Sequence, residues 1–366
     1  MTDGPEGLTY AASGVDPAAK EAGLKALLRS VNMTRGIRKG VGEARLDIGY
    51  FANVIDIGHG QGLAITTDTV GTKALVAQMV GRYDTIGIDC VAINVNDIIC
   101  VGAEPIAMVD CISLEEAGVE LLEGIGKGLY AGAERARISI VGGELAQIRD
   151  MVKGHKPGLG FDLAGTCVGL VPLDRLIVGE SISEGDTLIG LRSSGIHCNG
   201  LSLARKALLE SGRYAASQQV PELGRTMGEE LLEPTRIYVS EIMALRDSGV
   251  RLKALAHITG DGGLLNLTRT MSEVGYVIER LPEPQTVFTL IQEAGGISDA
   301  EMFRVYNMGI GFCAVVDAAD VDRSMEVIGE GDAECHVLGY AVADARRRVR
   351  IEPYHLLGEN GQYSRD

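Results

Sequence analysis

The segment from Ile86 to Pro105, IGIDCVAINVNDIICVGAEP, restricts the possible folds more than any other part of the chain. Its pattern predicts a helix over residues 84–101 that is apolar nearly all round, and such a helix must be buried on every side. Other elements have to cover it. A chain of 366 residues can supply them, because it is long enough for about two domains with substantial cores.

Polar residues interrupt this apolar helix. Asp89 and Asn96 share one face of it, and Asp97 lies at the edge of that face. A carboxylate buried without partners costs several kcal/mol, so each acid needs a partner. Two interpretations stay open: a polar network that ties the helix to its neighbours, or a site in which Asp97 meets a metal ion.

A second polar segment, ITTDTVGTK, follows a strand predicted over residues 63–67. It lacks the upstream glycine of a P-loop, so it is not a Walker motif. One interpretation is a turn in which the threonines bond the backbone. The other is a magnesium site, because Mg²⁺ is usually held by one or two carboxylates and substrate phosphates. Asp68 would supply the carboxylate, and Lys73 could face phosphate oxygens.

Three further turns carry candidate site residues. The sequence VGGE places Gly142, Gly143 and Glu144 at the end of a short apolar strand. In SSGIHCNG, His197 lies in a glycine-flanked turn where it could shuttle a proton, although Ser194 or Asn199 could simply cap the next helix. In HITGDGG, which starts at His257, the glycines could expose amide N–H groups to an anion.

The remaining pattern predicts an α/β fold of two domains. Before residue 172 it indicates a helix over 114–135 and strands over 105–113, 138–141 and 162–171. After residue 186 it indicates strands over 187–191 and 252–257. It also indicates helices from about 200 to 211 and over 228–247, and a helix that begins near 262. The segment 172–186 mixes charge, Pro and Gly, which is typical of a boundary. We therefore expect domains at 1–172 and 173–353, followed by a frayed polar tail at 354–366.

The bulk composition excludes several partners. A net charge of −16 argues against nucleic acid and anionic membranes, which both need a basic face. The seven cysteines include no CxxC pair, which favours reduced thiols in a cytoplasmic protein. The N-terminal residues lack the pattern of a signal peptide, and no apolar run approaches the ~18 residues of a membrane span.

Taken together, the motifs resemble those of the phosphoribosylformylglycinamidine cyclo-ligase family, the aminoimidazole ribonucleotide synthetases. The similarity runs from about Leu8 to Ile351 and rests on seven motifs in the family's order: TDTVGTK (67–73), YDTIGIDCVAINVNDIICVGAEP (83–105), VGGE (141–144), SSGIHCNGLSLAR (193–205), EPTRIYV (233–239), HITGDGG (257–263) and MFRVYNMGIGF (302–312).

This resemblance implies an ATP-dependent ring closure that converts formylglycinamidine ribonucleotide to aminoimidazole ribonucleotide in purine biosynthesis. It implies Mg²⁺ as cofactor, with Asp68, Asp97 and Glu144 as metal ligands, and His197, Asn199 and Lys73 as catalytic residues. The implied nucleotide-binding set is Asp68, Thr69, Gly71, Thr72, Asn96, Gly142, Gly143, His257 and Gly260. The implied fold is a homodimer, with a mixed N-terminal sheet and helices forming a barrel across two subunits and a C-terminal α/β sandwich.

The chain departs from the family pattern at several positions. Thr69 stands where Gly is common, residues 145–152 lack the usual Pro, Gly and Tyr, residues 47–51 replace a glycine-rich loop, and Asp261 interrupts a glycine triplet. Two alternatives to the cyclo-ligase function stay open. One is a catalytically silent nucleotide-binding homologue, and the other is an enzyme like the small-subunit formylglycinamidine ribonucleotide synthetases. A thiamine-phosphate kinase would use related chemistry, but would not be expected to carry PTRIY and SSGIHCNG together.

Overall fold

The computed structural model of the chain describes residues 7–14, 17–260 and 262–366. The helices are α1 (Pro17–Val31), α2 (Lys73–Val80), α3 (Asp84–Ile99), α4 (Val119–Ala136), α5 (Leu201–Arg205), α6 (Met227–Leu231), α7 (Val239–Asp247), α8 (Thr286–Gly295), α9 (Asp299–Val305) and α10 (Val321–Gly329). None of these helices combines the length and apolarity that crossing a membrane would require.

Most strands belong to one of two sheets, whose members lie on either side of the segment 173–186. They are β1 (Asn53–Gly58), β2 (Gln61–Thr69), β3 (Glu104–Leu114), β4 (Ser139–Gln147), β5 (Phe161–Pro172), β6 (Thr187–Arg192), β7 (Gln219–Val220), β8 (Arg225–Thr226), β9 (Leu252–His257), β10 (Val274–Ile278), β11 (Ile310–Val316), β12 (Cys335–Ala343), β13 (Val349–Ile351), β14 (Leu356–Glu359) and β15 (Gln362–Arg365). The short strands β7 and β8 pair only with each other.

The first sheet has the order β1-β2-β5-β3-β4, with β3 and β4 parallel and the other neighbours antiparallel. Helix α3 packs on one face, here called the inner face, and α4 packs on α3. Burial alternates along β5, because every second residue from Phe161 onward faces α3. The helix predicted to be apolar all round is therefore covered by this sheet, by α4 and by the second half of the chain.

The second sheet has eight strands in the order β15-β14-β13-β10-β12-β6-β11-β9. Strand β11 is buried along its whole length, and its neighbours β6 and β9 are buried over most of theirs, so the core of this half lies towards the β9 end of the sheet. β9 forms one edge, and the C-terminal strand β15 forms the other. The predicted two-domain α/β architecture is confirmed.

Two predictions about the second half are wrong. The helix expected over 228–247 is two helices, α6 and α7, because Pro234 lies between them and cannot continue a helix. The expected frayed tail is a hairpin, in which β14 pairs with both β13 and β15. Tyr363 is buried in this hairpin, and burial of its apolar ring stabilises the tail although most residues of the tail are polar.

Candidate active site

Several of the predicted site residues lie along the contact between the two halves of the chain, here called the cleft. The Thr72 hydroxyl lies 3.0 Å from that of Ser202 at the start of α5. Close by along the same seam, Asp97 at the end of α3 contacts His257 at the end of β9. The turn after β2 and the last turns of α3 therefore face the strand ends of the second sheet.

Asp68 and Asp97 form a carboxylate pair at this cleft. Asp68 accepts a hydrogen bond from the Thr69 N–H at 2.8 Å, and a carboxylate oxygen of Asp97 lies 2.8 Å from Nδ1 of His257. Burial raises the pKa of Asp68, and the charge of Asp97 raises it further. The groups that lower the pKa of Asp68, the Thr69 N–H and His257 among them, do not offset these two effects. Two hard oxygen donors in that condition fit a divalent cation such as Mg²⁺.

Glu144 does not join this pair within one chain. The strand register places Asp68 beside Gly165, Gly165 beside Asp110, and Asp110 beside Gly143, so β4 lies three strand spacings from β2, about 14 Å. Successive residues of a strand point to opposite faces, so Glu144, which follows Gly143, lies on the face opposite to α3, here called the outer face. It is exposed there. Across the described ranges no group of three His, Cys, Asp or Glu side chains could hold a metal ion together.

Gly142 and Gly143 share the position of Glu144 on the edge strand β4, away from Asp68. A side chain at Gly143 would place its first carbon 2.6 Å from a carboxylate oxygen of Asp110. This crowding gives Gly143 a packing role on the inner face within the single chain.

Lys73 has a different role from the predicted one of facing phosphate oxygens. It is fully buried, its ammonium group lies 2.8 Å from a carboxylate oxygen of Asp89, and it donates to the carbonyl of Glu233 at 2.6 Å. Asp89 also accepts hydrogen bonds from the backbone N–H and the hydroxyl of Thr235, at 2.7 and 2.6 Å. Asp89 requires a counter-ion because it is buried, and Lys73 on the neighbouring helix supplies it.

Asn96 likewise holds the two halves of the chain together. Its amide NH₂ donates to the carbonyl of Arg236 at 2.8 Å, and its carbonyl accepts from the N–H of Tyr238 at 3.0 Å. Both ends of this fully buried amide are bonded across the seam, so the observed role of Asn96 is to join the two halves rather than to face a nucleotide. The polar network considered for this helix is therefore present at Asp89 and Asn96, whereas Asp97 alone reaches the cleft.

His197 is buried in a strained turn with a φ of 63°. Its Nε2 accepts from the backbone N–H of Ser194 at 3.2 Å, which assigns the proton to Nδ1. Nδ1 has no hydrogen-bond partner among the described residues. Burial holds the pKa of His197 well below its usual value, and His257, Lys73 and Arg236 add to the effect. His197 is therefore a neutral imidazole with one N–H to donate.

The loop that carries His197 packs against the loop that follows His257. The amide of Asn199 donates to the hydroxyl of Thr259 at 2.7 Å. A side chain at position 260 would place its first carbon 2.6 Å from the side-chain carbonyl oxygen of Asn199, so the loop needs glycine there. These contacts place Asn199 and Gly260 together at the cleft, whereas Asp261 lies outside the described residues.

The turn after β2 is held by its own hydroxyl groups. Thr69 donates to the carboxylate of Asp162 at 2.7 Å, so this departure from the common Gly adds an anchor to β5. Gly71 has a φ of 59°, which a residue without a side chain adopts at no cost. The interpretation of this segment as a hydroxyl-bonded turn is therefore correct, and the turn also presents Asp68 and Thr72 to the cleft.

A cavity of about 970 Å³ opens at the seam between the two halves, on the side of the His197 loop. Ser194, Thr235 and Arg236 line it from one half, and Arg82 and Thr85 line it from the other. Asp68 and Asp97 are not among its lining residues, so the carboxylate pair and this cavity are separate parts of the seam.

Sequence reasoning missed the importance of Thr235 and Asp89 for joining the two halves. Thr235 belongs to EPTRIYV, which carried the resemblance without an assigned role, and the polar network considered for Asp89 did not identify its partner. A buried acid in such a helix signals a partner, but the partner lies 146 residues away along the chain.

Two family descriptions match most of the chain. Residues 49–171 match "AIR synthase related protein, N-terminal domain", and residues 183–352 match "AIR synthase related protein, C-terminal domain". The chain is 45% identical over 345 residues to the phosphoribosylformylglycinamidine cyclo-ligase of Methanothermobacter thermautotrophicus, covering 94% of this chain and 97% of that protein. It is also 45% identical over 350 residues to the Thermococcus kodakarensis protein of the same name, covering 95% and 99%.

Solved structures show the same fold at low identity. The complex described as AaThiL with AMPPCP and TMP superposes with a TM-score of 0.59 at 17% identity, over 91% of this chain and 93% of that one. Thermotoga maritima PurL complexed with ADP gives a TM-score of 0.55 at 14% identity, over 84% of this chain and 44% of that one. At these identities the likeness concerns the fold alone.

Proposed function

Because this chain belongs to the AIR synthase related family, with cyclo-ligases among its full-length relatives, we propose that the cleft at Asp68, Asp97 and His257 is its active site. The chain is an ATP-dependent ligase that forms a C–N bond in purine biosynthesis. Its reaction closes the imidazole ring of aminoimidazole ribonucleotide from formylglycinamidine ribonucleotide and releases ADP and phosphate.

The reaction requires an activated formyl oxygen. The γ-phosphoryl group of ATP is transferred to that oxygen, the neighbouring amidine nitrogen attacks the formyl carbon, and the C–O bond breaks as phosphate leaves. The attacking nitrogen and the formamide nitrogen each lose one proton as the ring becomes aromatic, and one of these protons leaves with the phosphate. Phosphoryl transfer depends mainly on positioning and on neutralising negative charge, so the site must hold a cation against the triphosphate.

The single observation that carries the site assignment is the convergence of Asp68 and Asp97 beside His257. These residues come from a strand end, a helix end and the other half of the chain, and burial leaves the pKa of Asp68 raised. Asp68 and Asp97 would hold the Mg²⁺, which when bound neutralises charge on the triphosphate. His257 orients the Asp97 carboxylate, as a histidine next to a metal-binding carboxylate commonly does.

His197 and Asn199 would act on the reacting amide. A neutral imidazole N–H can donate to the formyl oxygen or to the phosphate that replaces it, and it stays neutral at physiological pH because its pKa is lowered. The resemblance implied a catalytic Lys73, but we instead propose that Lys73 holds Asp89 and the two halves of the chain in place.

The direct test is to incubate the purified protein with formylglycinamidine ribonucleotide, ATP and Mg²⁺ and to detect aminoimidazole ribonucleotide. We expect one ADP and one phosphate for each imidazole formed, with no product when Mg²⁺ is chelated. ATP binding without substrate-stimulated phosphate release would indicate the silent homologue. Turnover of formylglycinamide ribonucleotide with glutamine or ammonia would indicate the synthetase alternative, and phosphorylation of thiamine phosphate would indicate the kinase.

We also propose that the protein is a homodimer joined through the outer face of the first sheet. That face carries apolar residues on neighbouring strands, and Ile57, Val109 and Leu170 remain 38–39% exposed although they lie within a sheet. Helix α3 covers the opposite face. A second copy of the chain is the occupant implied by the family's two-subunit barrel, and it would bury this apolar surface.

Leu170→Glu is expected to convert the dimer to monomer, because it places a charge on the apolar face. The measurement is the molar mass by light scattering over a range of concentrations, and we expect activity to fall at least tenfold with the dimer. Val119→Glu is the matched control, because Val119 is 83% exposed at the start of α4 and away from this sheet. A Leu170→Glu protein that remains dimeric would contradict this interface.

Glu144 lies on the same outer face, so in such a dimer it would face the second copy. We propose that Glu144 contributes to cation binding in the dimer, although within one chain it lies on the opposite face of the sheet from Asp68. Glu144→Gln should then raise the Mg²⁺ concentration for half-maximal activity about tenfold while the dimer persists. An unchanged Mg²⁺ requirement would remove Glu144 from the metal ligands.

We propose domain limits of 1–172 and 173–366, which extends the second domain to include the C-terminal hairpin. ATP and phosphoribosyl substrates are metabolites of the cytoplasm, and we propose that compartment for the enzyme.

A further inference from the structure

The C-terminal hairpin, β14 and β15, lies beyond residue 352, where the match to the family's C-terminal domain ends. It forms one edge of the second sheet, and β9, which leads into the active-site loop, forms the opposite edge. The segment after β9 nevertheless reaches the opposite end of the sheet, because the 3₁₀ turn over Gly263–Thr268 contacts β10 and α9, and α9 contacts β15. A hairpin outside the matched domain therefore contacts a segment next to the site.

Tyr363 makes this contact. Its hydroxyl donates to the carbonyl of Gly262 at 3.1 Å, although the two residues are 101 positions apart. Its ring packs against Phe303 of α9 with centroids 6.3 Å apart. Gly358 on the paired strand leaves room for the Tyr363 ring, because the first carbon of a side chain at position 358 would lie 2.6 Å from that ring. The Tyr363 ring therefore packs closely against both Phe303 and Gly358.

The Tyr363 hydroxyl is a permanent donor. Burial raises the pKa of Tyr363 far above its usual value, so the proton stays on the hydroxyl at every pH at which the protein is folded. The acceptor is equally fixed, because the N–H of Gly262 donates to the carbonyl of Arg304 at 3.0 Å. Gly262 has a φ of 125°, which strongly favours glycine. Both the N–H and the carbonyl of Gly262 are therefore hydrogen-bonded, the N–H to α9 and the carbonyl to Tyr363.

Gly262 lies only three residues after Thr259, which binds Asn199 at the cleft. The carbonyl of Thr259 is held in turn by the amide of Asn266 at 2.9 Å. The loop after His257 is thus held at Thr259 by Asn266 and at Gly262 by three groups. The Gly262 N–H donates to Arg304, and the Gly262 carbonyl accepts from the N–H of Leu265 at 2.9 Å as well as from Tyr363. Of these contacts, that of Tyr363 comes from the C-terminal strands.

We propose that Tyr363 is a positioning residue for the ring-closure reaction, which holds the Gly262 end of this loop in the conformation that accepts the phosphoribosyl substrate. This proposal rests on the function proposed above. Tyr363 touches no substrate; it acts through Gly262 and the loop. Without the hydroxyl, the loop populates other conformations, and substrate binds only to the competent fraction of molecules. The KM then rises in inverse proportion to the competent fraction, whereas kcat does not change.

Tyr363→Phe tests this proposal because it removes only the hydroxyl. We expect the KM for formylglycinamidine ribonucleotide to rise by up to about fivefold, the limit set by the loss of one net hydrogen bond, with kcat within twofold of the parent. Hydrogen exchange of the amides of residues 262–266 should become faster by a similar factor. That second measurement needs no substrate, so it tests the contact even if the enzyme acts on another compound.

Tyr276→Phe is the matched control. Tyr276 is equally buried in the same sheet, but its hydroxyl has no hydrogen-bond partner among the described residues. It should leave both the KM and the exchange of residues 262–266 unchanged. The proposal is overturned if folded Tyr363→Phe keeps the parent's KM and exchange rates. It is also overturned if the variant loses only thermal stability, since that outcome would indicate a purely structural hydroxyl.

Discussion

Asp68→Asn is expected to lower kcat by about 100- to 1,000-fold and, at the same time, to make the ligand-free protein more stable. The loss of activity follows because an amide cannot replace a charged oxygen against Mg²⁺ and a triphosphate. The gain in stability follows because the Asp68 carboxylate is buried next to Asp97, which raises its pKa. Removing that charge relieves both the desolvation and the repulsion.

The pH dependence of this gain has a definite sign. A carboxyl whose pKa is higher in the folded state than in the unfolded state favours folding when it is protonated, and the benefit is lost as pH rises through the folded pKa. The parent and Asp68→Asn should therefore have similar melting temperatures below about pH 4, the pKa of an unfolded Asp. The variant should become the more stable of the two as pH rises towards 7. Thermal melting at a series of pH values, without nucleotide or metal, measures the difference.

Asp110→Asn is the control for this experiment. Asp110 lies on the same face of the same sheet, and burial raises its pKa too, but it is not part of the cleft pair. It should show a smaller stabilisation at neutral pH, because no neighbouring carboxylate adds to the effect of burial, and it should keep its turnover. If Asp68→Asn turned over at the parental rate, Asp68 would have no part in the mechanism. If its melting temperature fell at pH 7, the account of the carboxylate pair would be wrong.

Lys73→Met is expected to lower the free energy of unfolding by about 3–5 kcal/mol, because it leaves Asp89 buried without its counter-ion. Methionine keeps most of the length of the lysine stem, so little of the effect comes from lost packing. Denaturant unfolding measures it. Activity per folded molecule should fall far less than in Asp68→Asn, since the ammonium group of Lys73 points at Asp89 and at the Glu233 carbonyl.

The double variant Lys73→Met, Asp89→Asn separates the structural role from a phosphate-binding one. Asn at position 89 removes the unpaired charge and can still accept a hydrogen bond from Thr235, so we expect it to recover about half of the lost stability. A lysine that binds phosphate would behave differently. Its loss would reduce kcat in a well-folded protein, and a change at Asp89 would not restore it.

The sequence predicted well wherever local chemistry and periodicity decide the outcome. The burial of α3 follows from its apolar residues on every side, and the turn that presents Asp68 follows from its hydroxyls and glycine. The exceptions also have physical causes. Pro234 divides a segment that otherwise has helical periodicity, and Tyr363 gives the polar tail a buried anchor that composition does not reveal.

Partners of side chains could not be predicted in the same way. Asp89, Asn96 and Asp97 all interrupt one helix, and nothing in their spacing shows that the first two bind the segment 235–238 while the third faces His257. Lys73 and Glu144 carry charges suited to a Mg²⁺–nucleotide site. The structure nevertheless places the first in a buried ion pair and the second on the far face of a sheet.

By itself, then, the sequence determined which segments form helices and strands, which of them are buried, and which residue types suit a magnesium and nucleotide site. Only the tertiary structure decided which charged groups meet. The physical reason is one of range: periodicity and turn chemistry act within a few residues, whereas an ion pair or a hydrogen bond acts over about 3 Å between atoms that can be more than a hundred residues apart along the chain.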